Sequence, residues 1–418
     1  MRFYEESSEA RAKRACAKLS EESFQKTASN AADTRPGLAV IGVGMMGREH
    51  LSVAHLLGRT VLRGVYDQSV ESLEAADELL VKLSGEAPHH YSALEDVFAD
   101  PTVDVVIIST PNYTHWAVVQ VALKSEKALL VEKPMATRLE DAFAIVKAVS
   151  NRKALFRLGM QYRFKAQYVD LFREVKALAS LGVVKTISMA EYRPPFLEKV
   201  EQWNKFNRYS GGTLVEKCCH YFDLINQMAE AAPISVYASG GQAVNFLEFE
   251  YAGSASDIDD HAFVVINYSN GVRASFTLNM FTEELYEEMV VVGEKGKAVA
   301  SECSTFKRDE PSTGALQVEV SGHSHYHSRD VTYPELIEQS GHSGATFFAQ
   351  ESFLNLLEGR NTEQGADSAT VMQGLWAMIV ASAAQASIQR NALVDIEQFL
   401  LEHGSSSLAL ADLAATAE

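Results

Sequence analysis

The chain runs to 418 residues, 47% hydrophobic and 22% charged, with a formal net charge of −18. That length supports two or three domains with substantial cores, and that charge excludes a polyanion-binding surface, so no nucleic-acid partner is expected. The four cysteines (Cys16, Cys218, Cys219, Cys303) form no paired framework, no apolar run approaches a bilayer span and the N-terminus lacks a signal-like apolar stretch; a reduced, cytoplasmic setting without a membrane partner follows.

Residues 1–36 are polar and mixed in charge, and read as an extension lying outside the core. From Leu38 an apolar run enters Gly42-Val43-Gly44-Met45-Met46-Gly47 and then a helix-forming segment. In that strand–turn–helix, Gly42 makes the tight turn, Gly44 lets a pyrophosphate approach the backbone, and Gly47 lets helix and strand pack closely. Met45 and Met46 complete the cofactor turn, and the helix N-terminus offers free N–H groups to phosphates. Strands are expected at 61–67, 103–110, 128–134 and 156–164, separated by helices. The regular alternation implies a doubly wound parallel sheet, a Rossmann dinucleotide-binding domain over 37–163.

Beyond it the pattern changes to long strands with period-2 alternation: KTISMAEYRPP, PISVYASGG, VNFLEFEYAG, DDHAFVVINYS, GVRASFTLNMF and EEMVVVGEKGKAVA. Joined by turn signals, these predict a large, mostly antiparallel, open-faced sheet in an α+β domain over 164–395, followed by a tail, 396–418. Two late helices, GATFFAQESFLNLLEG and ATVMQGLWAMIVASAAQASIQR, are expected to cover one sheet face. The site is expected in the cleft between the domains.

Asp67 closes the second strand 20 residues after Gly47, where a carboxylate takes the adenosine ribose hydroxyls and repels a 2′-phosphate. No Arg follows it, which favours NAD over NADP. Thr110, Pro111, Asn112 and His115 lie at the carboxyl end of the third strand, where open α/β sheets bind ligands; a well-capped βα turn is the plain alternative. Glu132-Lys133-Pro134 ends the next strand, placing Lys133 to hold a substrate hydroxyl near the nicotinamide. A surface ion pair is the alternative there.

Together GVGMMG (42–47), STPNYTH (109–115), VEKPMA (131–136), GMQYRF (159–164), GGTLVEKCCHYFD (211–223), VVVGEKGKA (290–298) and GHSGATFFAQESF (341–353) resemble the Gfo/Idh/MocA oxidoreductases over about residues 38–395. The resemblance implies that Lys133 is the catalytic lysine and that Glu132, Gln161 and Arg163 lie at the cofactor, with Arg163 also near the substrate. The family's Asp and Gly in the 211–223 motif stand here as Glu216 and Cys218. A continuous helix would put Glu216, His220 and Asp223 on one face, with His220 as acid or base and Glu216 orienting it or binding substrate hydroxyls. The adjacent cysteines diverge on a helix and make poor joint metal ligands, so no metal is expected. Lys217 is expected to face solvent or another subunit. Trp203 reads as a wall for a polyol ring or as domain packing, His342 as a substrate loop or helix cap, and His261 as structural.

The resulting expectation is an NAD(P)-dependent oxidoreductase acting on a secondary hydroxyl of a sugar, inositol or related polyol. Two alternatives stay open: a redox-neutral enzyme that recycles NAD, and a non-catalytic dinucleotide sensor. In relatives the open sheet face forms oligomers, which implies a homodimer or homotetramer.

Overall fold

The first strand, β1 (Gly37–Ile41), is buried along its whole length, as a parallel strand covered on both faces must be. The computed structural model describes residues 7–25, 33–305, 312–321, 326–360 and 368–417. After helix α1 (Ser8–Gln25) and β1, the chain alternates through α2 (Met45–Leu57), β2 (Val61–Tyr66), α3 (Val70–Ser84), α4 (Leu94–Ala99) and β3 (Val105–Ile108). It continues through α5 (His115–Ala122), β4 (Ala128–Glu132), α6 (Leu139–Val149) and β5 (Phe156–Gly159). These five strands pair in parallel in the order β2-β1-β3-β4-β5. The direction of winding reverses between β1 and β3, which opens a crevice at their carboxyl ends.

The second domain begins with α7 (Ala166–Phe172) and β6 (Val184–Tyr192), then α8 (Asn207–Ser210), α9 (Thr213–Glu216) and α10 (Cys219–Ala229). Strands β7 (Pro233–Gly241), β8 (Glu250–Tyr251), β9 (Ser254–Ala255), β10 (His261–Tyr268), β11 (Arg273–Asn279), β12 (Leu285–Gly293) and β13 (Gly296–Ser304) follow. Then come β14 (Thr313–Val320), β15 (Tyr326–Asp330), α11 (Glu335–Glu338), α12 (Ala345–Leu357), α13 (Val371–Arg390), β16 (Val394–Asp395), α14 (Ile396–Glu402) and α15 (Ser407–Ala417). Nine strands form one sheet, β15-β14-β13-β12-β6-β11-β10-β7-β16, in which only β6 and β11 run parallel. Along β10 burial alternates, with Ala262, Val264 and Ile266 inside and Phe263 and Val265 exposed on the open face.

Several expectations are corrected. The strand expected at 156–164 stops at Gly159, and Gln161–Phe164 is a 3₁₀ turn that aims successive side chains in different directions. VNFLEFEYAG contributes only the two-residue β8; the Asp260 carboxylate accepts the backbone N–H groups of Ala243, Val244 and Asn245 and holds the segment as a loop. Strands β14 and β15 extend the sheet beyond those read from sequence.

Of the two late helices only α13 lies on the sheet, against β7; α12 packs on α2 of the nucleotide domain, where Gln350 Nε2 donates to His50 Nδ1 at 2.8 Å. By length and composition α13 would qualify as a bilayer span, but 67% of its apolar window is buried and it is a core helix. Nor does the N-terminal extension lie outside the core. Ala12 and Ala15 of α1 are buried, and at its start Ser8 N–H donates to Asp170 Oδ1 at 2.7 Å.

Candidate active site

Sterics require glycine at two of the three positions of the turn, Gly42 and Gly47. Gly42 has a φ of +84°, and a Cβ there would stand 2.6 Å from the Thr110 nitrogen. A Cβ on Gly47 would stand 2.0 Å from the Gly42 carbonyl oxygen, so only glycine lets α2 start this close to β1. At Gly44 a Cβ would meet nothing within 4 Å: the turn opens there onto free space in front of the α2 N-terminus. Met45 is exposed at the lip and Met46 half-buried. Asp67 is fixed to the turn, its Oδ2 accepting the Val43 N–H at 2.7 Å and its Oδ1 the Ser69 N–H at 2.9 Å.

Across the crevice Ser109 Oγ donates to the Gly42 carbonyl at 2.7 Å and ties the β3 loop to the turn. Thr110 and Pro111 accept from the Thr114 hydroxyl. His115 is buried between two carbonyls, Nδ1 at 2.8 Å from Pro134 O and Nε2 at 3.0 Å from Thr110 O, so it braces the β3 and β4 loops. Burial pushes its pKa down. Asn112 and Gln161 are buried with Asn112 Nδ2 and both Gln161 amide atoms lacking a partner. Buried polar atoms without partners carry a penalty that a bound ligand can relieve. The open space at Gly44, the helix N-terminus and these orphaned amides fit a dinucleotide.

At the end of β4 a hydrogen-bond chain crosses from α12: Gln350 to His50, His50 Nε2 to Glu132 Oε1 at 2.8 Å, and Glu132 Oε2 from the Lys133 N–H at 3.1 Å. Burial works against ionised Glu132, but His50 and Lys133 outweigh it and hold its pKa low. The Lys133–Pro134 peptide is cis. Lys133 Nζ donates to the backbone carbonyl of Glu216 at 2.8 Å. Burial opposes its charge, yet Glu216 together with the other neighbouring acids outweighs burial and Lys133 stays an ammonium.

The continuous helix expected through Glu216 and His220 is broken. α9 ends at Glu216 and α10 starts at Cys219, with a turn at Lys217–Cys218. The break leaves the Glu216 carbonyl for Lys133 and redirects Lys217, which is buried rather than facing solvent: its Nζ donates to Tyr162 Oη at 2.6 Å and lies 3.1 Å from Glu191 Oε1. Glu216 remains close to Lys133, and Lys199 Nζ reaches its Oε1 at 3.1 Å. Burial opposes the Glu216 charge, but Lys133 and Lys199 bring its pKa down to about 2. Lys199 also stands 4.4 Å from the Trp203 ring centroid, which brings Trp203 beside this group.

His220 is buried, with Nδ1 unpartnered and its ring stacked on Tyr162 at 4.1 Å and 7°. Burial first, then the neighbouring cations led by Lys133, hold its pKa well below the ordinary value, so the ring is neutral. Burial pushes the Cys219 thiol up to about 12 and Cys218 well above its usual range, so neither is a thiolate.

Arg163 and Asp223 are engaged with each other rather than with Lys133 and Glu216. They pair with each other inside the protein, Arg163 Nε at 2.6 Å from Asp223 Oδ2, and Arg163 Nη1 reaches Gln373 Oε1 at 3.0 Å. His342 bonds to Glu49 on α2 at 2.8 Å, with its ring 6.1 Å from that of Tyr162. His261 pairs locally with Asp260. Sequence reasoning passed over Lys199, Glu191 and Tyr162. The one available signal was Glu216 itself, a buried acid in a motif with no cation at helical spacing to neutralise it.

A parallel sheet carrying a glycine turn at its switch point, with an acid and a lysine at the carboxyl ends of the flanking strands, defines an oxidoreductase built around a nicotinamide dinucleotide. The chain belongs to the Gfo/Idh/MocA oxidoreductases: residues 37–160 match the family's NAD-binding Rossmann fold and residues 176–396 its C-terminal alpha/beta domain. It is 25% identical over 366 residues to the uncharacterized oxidoreductase YrbE of Bacillus subtilis, covering 86% of this chain and 96% of that one. To the myo-inositol 2-dehydrogenase of Thermotoga maritima it is 25% identical over 267 residues, 63% of this chain and 74% of that one. Among solved structures, levoglucosan dehydrogenase in complex with NADH and levoglucosan superposes with a TM-score of 0.70 at 19% identity, over 87% of this chain and all of that one.

Proposed function

We propose that this protein oxidises a secondary hydroxyl of a sugar, inositol or related polyol with NAD, or reduces the corresponding ketone. The observation that carries the reading is that an ammonium at the carboxyl edge of the nucleotide sheet (Lys133, bonded to the Glu216 carbonyl) acts on a buried neutral imidazole (His220) that has an unpartnered nitrogen. In this reading Gly42–Gly47, Asp67, Thr110–Asn112, Glu132 and Gln161 hold the cofactor, and His115 braces the two loops behind it. When bound, the nicotinamide supplies the hydride acceptor. Lys133 donates to the substrate oxygen and stabilises the charge that develops on it. His220 takes the hydroxyl proton, since a protonated Lys133 has no lone pair for it. Glu216 keeps Lys133 charged and, with Trp203, lines the substrate side. Arg163 serves the interior by holding Asp223.

The names of the inositol and levoglucosan relatives support a hydroxyl-rich substrate. Incubating the protein with NAD and a panel of inositols, anhydrosugars and sugars should produce NADH with at least one, and Lys133→Met should abolish it. NAD binding without NADH formation across the panel would sink the reading. We also propose a homodimer or homotetramer through the open sheet face, where Phe263 is 62% exposed and Val265 and Tyr237 lie beside it; a monomer by light scattering would contradict it.

A further inference from the structure

Behind the imidazole lies a structure that proton acceptance alone does not require. The Tyr162 ring lies flush on His220, its hydroxyl is held by Lys217 at 2.6 Å, and Lys165 Nζ stands 4.1 Å from its ring centroid. The two lysines are compensated unequally. Lys165 sits between two carboxylates, Glu287 at 2.9 Å and Glu302 at 2.8 Å. Lys217 shares the single carboxylate of Glu191 with Arg193, whose Nη1 is 3.6 Å from the same oxygen. Two cations thus share that one carboxylate, with Glu287 acting on Lys217 as well.

We propose that Lys217 is a positioning residue for His220: through the Tyr162 hydroxyl it fixes the plane on which the imidazole stacks, and its charge keeps the ring in the proton-accepting form. The proposal rests on the reading of His220 as the proton acceptor. The other groups acting on His220 are Lys133 from the end of β4, Lys165 ahead of α7 and His342 ahead of α12, with Tyr162 stacked on the ring and Tyr221 against Tyr162; Glu216 and Asp223 are the acids one helical turn away in sequence. Of the anions, Glu216 is paired with Lys199 and Asp223 with Arg163, so neither is left to stabilise an imidazolium. Lys133 leads the cations acting on His220 and Lys217 comes next; of the two, Lys217 alone also holds the ring on which the imidazole stacks.

The test follows ¹³C-labelled histidine by NMR in the NAD-loaded protein, with the His220 signal assigned from its loss in His220→Gln. In the unaltered protein the signal should not titrate between about pH 5 and 8. In Lys217→Met it should titrate inside that window, with the ring at least about tenfold more protonated at a given pH. Lys217→Arg should restore the silent behaviour. The double variant K217M/E191Q removes both charges of the pair, so an orphaned buried carboxylate cannot be the cause, and it should titrate like Lys217→Met. Once a substrate is known, kcat/KM for oxidation should gain an acid limb in the same variants. A His220 signal silent in both variants, or titrating near its ordinary value in the unaltered protein, overturns the proposal. The NMR readout needs no substrate, so a failed substrate panel beside a shifted His220 rejects the dehydrogenase reading and leaves the coupling standing.

Discussion

Along the nucleotide wall of the cleft, Asn112 and Gln161 hold amide atoms without partners and the turn at Gly44 opens onto free space. Buried in the second domain, Glu191, Glu216, Glu287 and Glu302 each meet a lysine, and the first, third and fourth of them lie in one cross-strand row on β6, β12 and β13. The first side leaves amides for a ligand to complete, while on the second the carboxylates are already matched by lysines and the His220 Nδ1 is what stays open. Changes on the first side should therefore act on binding, and changes on the second on folding or on proton transfer.

The largest expected effect breaks the matched charges of the second side. Lys165→Met leaves Glu287 and Glu302 facing each other without a cation and should cost about 3–5 kcal/mol in chemical denaturation. Lys133→Met sharpens the contrast from the cleft itself. Turnover should fall about 10²–10³-fold while NAD affinity holds, since the lysine's work is done in the transition state. A matching loss of NAD affinity would assign Lys133 to the nucleotide wall instead.

The pH dependence comes next. The folded Glu216 pKa of about 2 lies below its ordinary 4.5, so its contribution is present in full above the ordinary value and is lost as pH falls toward 2. That contribution is about 3 kcal/mol. Glu216→Gln should thus be less stable than the unaltered protein at neutral pH and approach it in acid; a gap constant with pH would show that the ion pair is not the cause. Smallest is Asp67→Ala, which removes an acceptor from the nucleotide wall. It should weaken NAD by about 2 kcal/mol and narrow the preference over NADP, measured by titrating each nucleotide.

How far such features can be read from sequence depends on how local their causes are. The glycine turn, β1 and β3 were legible because each is set by neighbouring residues: buried apolar runs and glycines that sterics permit nowhere else. The segment 211–223 misled because its composition suits a helix, while the fold needs the Glu216 carbonyl for Lys133, 83 residues away. Lys217 therefore turned inward against expectation. Arg163 was placed at the cofactor by its motif, and its capture by Asp223 depends on α10 packing against the 3₁₀ turn, which no local signal announces. The loop at 243–249 failed for a similar reason, since it is ordered by Asp260 from the far side of a hairpin.

The α12 helix has one further consequence. It is encoded in the second half of the chain, yet Gln350 reaches His50, His342 and Thr346 reach Glu49, and His50 carries the link on to Glu132 beside the strand-end lysine. The halves are consecutive in sequence but not exchangeable as parts. A Rossmann half produced alone, or grafted onto the second domain of a distant relative, would keep its glycine turn and lose the brace that orients Glu132. Recombination at the domain boundary should accordingly give chimeras that still capture the nucleotide but turn over poorly, unless α12 travels with the first half.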